Sequence, residues 1–578
     1  MNPFTKFPAL KWVAVAAGGI AVAVGVFFGI KAFMSSDGEI DLGMVPDDVD
    51  FVVSVNLQKA LDQTGVKITD EGIELPEELS DYEDFIDEDV ADLIARCNKA
   101  IETRQILAFG YIKADDYRYG TPKDIFLLAK VNDKAMLQEL LENEADLTLD
   151  NDEGFDIYSK KHSDATILVK DGYAWFVGGY GDSKALKRVQ KLLDHASENS
   201  IKDKEGIVQN INNGSICTVN FATDKIFKLM NAMSGELPTQ VAVAVSAMAD
   251  KMKGNWVNYS FNLEGTTASL KAKVYKPKTG ETVDFGVSQP VDTHFLTYIP
   301  ADFQCVAAFA IKPDYVAQIC DGIQAMVDSE YDSRVSNASS YYYYYDDSYT
   351  QTIRQEQQLF HECLDAVRNI DGTVGGGIGF SDLPALFYGG KTSGMRFVLT
   401  AKMKPGAAEN LKGIIRRAMP STDVADSTVV FASEPTDALM IPLDRDFTLY
   451  VKTVDNDLVI ANFDVTSGNT NNFASAVQGN DMIMSVKIPS FKELTNGQCN
   501  YGLDTEYKYA KGEASYTLDI TNCKETIVGA IMNLAKGIQA GSSSYYRSHN
   551  SYSYSYDYPV PADFDTVVEE VAVEEYAY

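Results

Sequence analysis

The residues of this chain that could carry out chemistry do not form any recognisable catalytic motif. The five histidines, at positions 162, 195, 294, 361 and 549, contain no HxxxH or HExxH pair that would bind zinc. No Gly-x-Ser-x-Gly segment is present to form the nucleophile elbow of a serine hydrolase. Paired carboxylates that cleave glycosidic bonds are assembled in space and have no fixed spacing in sequence. The sequence therefore predicts no catalytic residue, and carboxylate chemistry stays open.

Three segments resemble ligand-binding loops but lack the spacing that a ligand requires. Residues 372–380, GTVGGGIGF, lack the Gly-Lys-Ser/Thr ending of a phosphate loop and predict a glycine-rich strand or bulge. Residues 150–154, DNDEG, have their glycine at the wrong position for a calcium loop and predict a turn. The acidic stretch Asp70–Asp92 shows no ligand spacing and predicts a solvated loop and helix entry. No cofactor and no metal ion are predicted.

Two tyrosine-rich segments are the candidate interaction sites. The first follows Ser339 and Ser340, and the second covers residues 542–558. Segments rich in tyrosine and serine either contact sugars and other proteins or form flexible solvated insertions. The candidate residues in the first segment are Tyr341, Tyr342, Tyr343, Tyr344, Tyr345 and Tyr349.

The elements that must position these residues occur twice in the chain. The segment Val45–Val55 returns as Ile299–Phe309, each with a Pro-x-Asp sequence near its start. Strand-like residues 125–131 correspond to 396–403, and a helical pattern follows each. A tandem duplication of about 250 residues is predicted, because self-similarity at a fixed offset indicates repeated structural units. The predicted repeat domains are residues 39–290 and 291–540.

Within each repeat, short strands alternate with helices and hairpins. Asn132 and Asp133 are suited to cap a helix that has apolar positions such as Leu137 and Leu140 at helical spacing. Asp171-Gly172 lies between two β-prone runs and predicts a hairpin, with a counterpart at residues 455–457. The predicted fold class is α+β: two tandem domains of mainly antiparallel sheet, with helices packed on one face.

The N-terminus predicts a membrane anchor. Trp12–Ile30 carries no charge, and nineteen helical residues span roughly 28 Å, enough to cross a bilayer core. Positive charge precedes the span and acidic residues follow it, which places the body outside the cytoplasm. A cleaved signal peptide is the alternative, but no clear small-x-small site follows. We predict a cytoplasmic tail (1–11), a transmembrane signal anchor in the inner membrane (12–33), a periplasmic body, and a disordered acidic Ser/Tyr-rich tail (541–578).

Charge and cysteine content limit the partners. The net charge of −33 disfavours nucleic acid and anionic membrane surfaces. The seven cysteines show no CxxC spacing, so neither a zinc nor a redox site is predicted. Bridges Cys305–Cys320 and Cys499–Cys523 stay open for an oxidising compartment, although the first repeat has no equivalent pairs.

The anchor, the Val/Ile-Pro-x-Asp opening and the two-repeat layout resemble an uncharacterised domain-of-unknown-function family of envelope proteins in Bacteroidales. Members are typically lipoproteins, whereas this chain has no lipobox cysteine. The resemblance implies an envelope location and no particular activity. The sequence is therefore compatible with two functions. The first is a non-enzymatic binding or structural module, with an envelope protein or polysaccharide as partner; the second is a hydrolase that uses carboxylates in a cleft between the repeats.

Overall fold

The structure is a computed structural model. It describes residues 40–69, 72–76, 88–112, 124–160, 165–178, 182–224, 252–341, 347–389, 394–418, 438–444 and 447–550. The predicted cytoplasmic tail and anchor lie outside the described residues. Among the helices that the structure describes, none is both long and apolar enough to cross a membrane.

The described chain has an α+β fold with antiparallel strands, as predicted, but these strands form one large sheet rather than one sheet in each repeat. The strands of the N-terminal half are β1 (Phe51–Val55), β2 (Lys67–Thr69), β3 (Gly72–Glu74), β4 (Ile106–Tyr111), β5 (Asp124–Lys130), β6 (Thr148–Asp152), β7 (Phe155–Ser159), β8 (Ala165–Lys170), β9 (Tyr173–Gly178), β10 (Cys217–Ala222), β11 (Trp256–Glu264) and β12 (Thr267–Tyr275). Strands β2 and β3 form a separate two-stranded sheet.

The described residues of the C-terminal half form nine further strands. They are β13 (Cys305–Ala310), β14 (Ile370–Phe380), β15 (Met395–Met403), β16 (Ala438–Asp444), β17 (Phe447–Val454), β18 (Asp457–Ala461), β19 (Met482–Ile488), β20 (Gly502–Ala510) and β21 (Glu513–Thr521).

The strand order in the two halves corresponds. In the N-terminal half the order is β6-β7-β8-β9-β5-β4-β1-β10-β11-β12. In the C-terminal half it is β16-β17-β18-β15-β14-β13-β19-β20-β21. The last strands, β12 and β21, pair antiparallel, with Thr267 opposite Asp519 and Lys273 opposite Glu513. The halves are thereby joined edge to edge in one 19-stranded sheet.

Helices lie between the strands of both halves. They are α1 (Leu57–Thr64), α2 (Glu88–Ala100), α3 (Lys134–Glu139), α4 (Asp182–Glu198), α5 (Glu205–Ile211), α6 (Pro313–Tyr341), α7 (Asp347–Arg368), α8 (Leu383–Gly389), α9 (Ala407–Ala418), α10 (Ala474–Val477) and α11 (Ile527–Asn550). The predicted cap is confirmed, because the Asp133 carboxylate accepts a hydrogen bond from the Met136 N–H.

The prediction that helices pack on one face is wrong. Leu128 packs with Ala185 and Val189 of α4, whereas its neighbour Ala129 packs with Leu137 of α3. Successive strand residues point to opposite faces, so helices cover both faces of this sheet. The sequence did carry the signal, because β5 is apolar at consecutive positions, the pattern of a strand that is covered on both faces.

The repeated opening sequence forms the same local structure in both halves. Asp50 is 3% exposed, and its Oδ2 accepts a hydrogen bond of 2.7 Å from the Ile112 N–H just after β4. Gln304 Oε1 accepts a bond of 2.7 Å from the Phe380 N–H at the end of β14. Both side chains satisfy a backbone donor where the paired strand ends. The opening therefore has a structural role in each half.

Several local predictions are confirmed. Residues 372–380 lie in β14, where a side chain on Gly375 would come within 2.6 Å of the Phe295 ring. Of residues 150–154, which predicted a turn, residues 153–154 form the β6–β7 turn, with φ of 49° at Glu153 and 80° at Gly154, whereas residues 150–152 belong to β6. The predicted turn at Asp171-Gly172 joins β8 to β9.

The C-terminal helix is longer than predicted. Helix α11 continues to Asn550, so residues 541–550 are helical rather than part of a disordered tail. Close packing holds this end of the helix, since a side chain on Gly541 would collide with the Leu494 carbonyl. Tyr545 lies against Tyr388, with ring centroids 5.6 Å apart. Residues 551–578 lie outside the described part of the chain.

Candidate functional site

The two described residues of the predicted tyrosine site, Tyr341 and Tyr349, lie at the tip of a helical hairpin. Tyr341 is the last residue of α6 and Tyr349 lies in the first turn of α7, whereas Tyr342, Tyr343, Tyr344 and Tyr345 lie outside the described residues. The 29 residues of α6 make a helix about 43 Å long, so this tip is far from the base of the hairpin.

Polar side chains hold the two helices of this hairpin together. Asp328 Oδ1 accepts hydrogen bonds from Gln357 Nε2 at 2.7 Å and lies 2.6 Å from His361 Nε2. The bond from Gln357, together with the nearby His361, lowers the pKa of Asp328. Asp328 lies in α6, whereas Gln357 and His361 lie in α7, so this cluster pairs the two helices.

A second polar cluster lies beside the 3₁₀ turn Thr293–Tyr298 and resembles a catalytic site. Lys402 Nζ lies 2.8 Å from Asp292 Oδ2, and His294 Nε2 lies 3.5 Å from Asp457 Oδ2. The Tyr298 hydroxyl donates to the same Asp457 oxygen at 3.0 Å. The hydrogen bond from Lys402 lowers the pKa of Asp292, and burial together with Asp457 raises the pKa of Tyr298.

This second cluster is better explained as a structural tie than as an active site. Its cavity has a volume of about 10 Å³, at most the room that one water needs. Each carboxylate is already paired: Asp292 with Lys402, and Asp457 with Tyr298 and His294. The Asp292–Lys402 and Tyr298–Asp457 contacts connect the turn to β15 and β18, and the small cavity has no room for a substrate.

The junction between the halves shows a continuous ladder where the hydrolase hypothesis expected a cleft. Along the described strands, β12 and β21 pair over seven residues each. The Asp519 carboxylate is occupied there, since it accepts bonds from the hydroxyls of Thr266 at 2.7 Å and Thr267 at 3.0 Å.

Neither of the two bridges that the sequence left open is formed, and all seven cysteines are free thiols. Burial raises the pKa of Cys97 to about 12 and that of Cys217 and Cys305 to about 11. Thiols with raised pKa values are protonated at neutral pH and are poor nucleophiles.

The feature that sequence reasoning missed is an uncovered apolar face in the middle of the sheet. We call it the apolar platform. Its most exposed members are Leu399 (46%), Met484 (45%), Met482 (40%), Tyr259 (40%), Phe309 (38%), Leu270 (38%) and Ile378 (37%). Large apolar side chains that stand in neighbouring strands and remain exposed indicate a binding surface.

These residues form continuous rows across the strands. Directly opposed pairs connect Leu399 to Gly376, then Ala307, Met484 and Tyr507. The same row continues across the junction from Tyr507 through Tyr516 to Leu270. Ala307 is exposed although it lies in a central strand, so small residues form an open floor between Met484 and Leu399.

The platform contrasts with the opposite face of the same strands. Along β12 and β21, the alternate residues Ser269, Lys271, Ser515 and Thr517 are polar and face the other side. Alternation of this kind marks a sheet with one solvated face and one face that is normally buried. The hairpins of residues 256–275 and 502–521 show the pattern in sequence, but the pattern alone does not tell whether a helix covers the apolar side.

Helices stand on the platform's own face of the sheet and border it. Leu399 shares a face with Ala401, which packs in the cluster that contains Leu411 of α9. Met484 shares a face with Val486, which packs in the cluster that contains Leu534 of α11. Because a helix with its side chains is about 10 Å across, the platform is the floor of a trough.

Comparison with known proteins adds no functional assignment. No family model matches the chain, and no curated protein matches it. Crystal form III of TP0453 is similar over 43% of this chain and 84% of that chain, at 11% identity and a TM-score of 0.26. Crystal form IV of TP0453 covers 41% and 81%, at 12% identity and a TM-score of 0.25. Scores this low do not establish a common fold.

Proposed function

We propose that this chain is a membrane-anchored envelope protein that binds an apolar partner and does not catalyse a reaction. The observation that carries the proposal is the exposed apolar platform. Apolar strand residues of this kind are normally buried, whereas the seven most exposed side chains of the platform keep 37–46% of their surface in contact with water. A partner that covers the platform would remove this surface from water.

The layout of the chain supports the anchored part of the proposal. We infer a transmembrane signal anchor at residues 12–33, followed by two duplicated α+β domains in the periplasm. The charge pattern around the apolar N-terminal stretch and the matching strand orders support this inference. The resemblance to Bacteroidales envelope proteins stays a prediction, as do a polysaccharide or protein partner at the tyrosine tip and the hydrolase alternative.

Site-specific cross-linking in intact cells tests binding at the platform. A photoreactive amino acid replaces Leu270, whose side chain belongs to the platform, or Ser269, the neighbouring residue on the opposite face. The two positions share one strand, so they control for expression and folding. We expect an adduct from position 270 and none from position 269. Equal yields at both positions, or no adduct at either, would refute the proposed binding face.

Protease treatment of spheroplasts tests the location. We expect added protease to digest the body from about residue 37 onward, because the positive charge precedes the anchor. Protection of the body in intact spheroplasts, with digestion only after lysis, would place it in the cytoplasm and contradict the proposal.

A further inference from the structure

We infer that the ligand of the apolar platform is a single lipid molecule, held by its acyl chains and carrying a head group without net charge. This inference rests on the proposed binding function and specifies the ligand. It depends on the dimensions of the platform, on the helices that border it and on its lack of charge.

The dimensions suit acyl chains. The platform extends over eight strands from β15 to β11, and a strand spacing of about 4.8 Å gives a width of about 34 Å. Three alternate residues along a strand give a length of about 14 Å. Half of a bilayer core is about 15 Å, which is the length of one acyl chain. The floor therefore accommodates the two chains of one lipid.

The same dimensions disfavour a second copy of the chain. The platform measures roughly 450 Å² in projection, so a second copy would have to contact surface beyond the platform to bury the roughly 800 Å² of accessible surface that each partner buries in a stable interface. Two copies would also bring together chains that each carry a net charge of −33.

The bordering helices disfavour a flat membrane surface. Helices α9 and α11 pack on the platform's own face of the sheet, so a flat bilayer would meet them about 10 Å before it reached the floor. A ligand that occupies the floor must be narrow enough to enter between the helices. One lipid molecule removed from the bilayer meets this condition.

The residues of the floor define the chemistry of the ligand. Met482 and Met484 provide flexible, polarisable side chains that adapt to a mobile hydrocarbon chain. Tyr507 and Tyr516 add wide apolar rings with hydroxyl groups. No side chain of the platform is charged, and the chain as a whole is strongly acidic, which disfavours an anionic head group.

Photo-labelling of the full chain tests this inference. The protein is placed in phosphatidylcholine nanodiscs that contain a tracer of phosphatidylcholine with a diazirine on one acyl chain. After illumination, labelled peptides are mapped by mass spectrometry. We expect label on the peptides that contain Leu270 and Met484, in addition to the anchor. The Leu270→Asp variant should lose about tenfold of the platform label, because the acyl chain would bury a carboxylate. Ser269→Asp, which places the same charge on the opposite face, should keep it.

The outcomes distinguish a failure of the lipid assignment from a failure of the proposed binding function. Label confined to residues 12–33, or platform label that Leu270→Asp and Ser269→Asp change equally, would overturn the lipid assignment. If the photoreactive residue at position 270 yields a protein adduct, a dimer of this chain or an internal cross-link, the ligand is not a lipid. A protein adduct would still support binding at the platform, whereas no adduct from position 270 would overturn both proposals. Equal melting temperatures of the two variants show that folding does not cause the difference.

Discussion

Removal of the Asp50 carboxylate tests whether the repeated opening is a structural motif. Asp50 is buried, and its Oδ2 lies 2.7 Å from the Ile112 N–H. Asp50→Ala leaves a backbone donor without this acceptor, and an unsatisfied buried donor costs about 1–3 kcal/mol. We expect a loss of about 2 kcal/mol in the free energy of local opening around β4.

The second half provides the matched control for this variant. Gln304 uses a neutral amide oxygen at the same distance of 2.7 Å to accept from Phe380. Asp50→Asn should therefore keep most of the stability and lose about 1 kcal/mol or less, while Gln304→Ala should loosen the end of β14. The two sites share no partner, so their effects should add.

Hydrogen–deuterium exchange of the full chain measures this effect locally. A loss of 2 kcal/mol corresponds to a roughly 30-fold faster exchange at Ile112, since 1.4 kcal/mol is a factor of ten. Exchange at Ile112 in Asp50→Ala within about twofold of the original rate would refute the structural role. Equal damage from the Asn and Ala variants would show that the charge, and not the acceptor oxygen, matters at this position.

Two further predictions concern the C-terminal half. Gly375→Ala should lower the free energy of unfolding, measured by urea titration, by about 1–3 kcal/mol, because the new methyl group would lie 2.6 Å from the Phe295 ring. Gly413→Ala in α9 is the control: its methyl group would have its nearest neighbour at 3.9 Å, so this variant should stabilise the helix slightly. Lys402 lowers the pKa of Asp292 below its ordinary value of 3.8, so the contribution of Asp292 is present above pH 3.8 and is lost as the pH falls through the lowered value. Lys402→Met should remove this pH-dependent contribution to stability, which is less than about 1 kcal/mol because both side chains are nearly half exposed. Melting temperatures measured as a function of pH test this, and an unchanged loss of stability at acid pH would contradict the explanation. A Gly375→Ala variant that is more stable than the original protein would contradict the first explanation.

The sequence predicted local elements well where they depend on interactions between residues a few positions apart. The Asp171-Gly172 hairpin follows from a turn with positive φ at both residues, and the helix cap from the reach of the Asp133 side chain to Met136. The glycine-rich strand was recognised because its spacing failed the phosphate-loop pattern, and the structure explains the glycines by the ring of Phe295 that lies against Gly375.

The error about helix placement has a different origin. Alternating hairpins such as β11–β12 led to the expectation of helices on one face, whereas consecutive apolar residues in β5 required cover on both. The tyrosine residues were recognised as unusual from composition. The place of Tyr341 and Tyr349 at the tip of a long hairpin depends on the lengths of α6 and α7, which extend well beyond the helical patterns at residues 316–327 and 355–367.

By itself, the sequence determined the hairpins and the apolar side of alternating strands such as β12 and β21, because these depend on neighbours within a few residues. Only the tertiary structure decided that β12 pairs with β21 and that the apolar sides of both halves join into one platform. Long-range pairing depends on chain segments about 250 residues apart, so local patterns do not specify its register. Whether an apolar face is core or binding surface depends on what packs against it, and at Met484 and Leu399 the bordering helices leave the floor of the trough open.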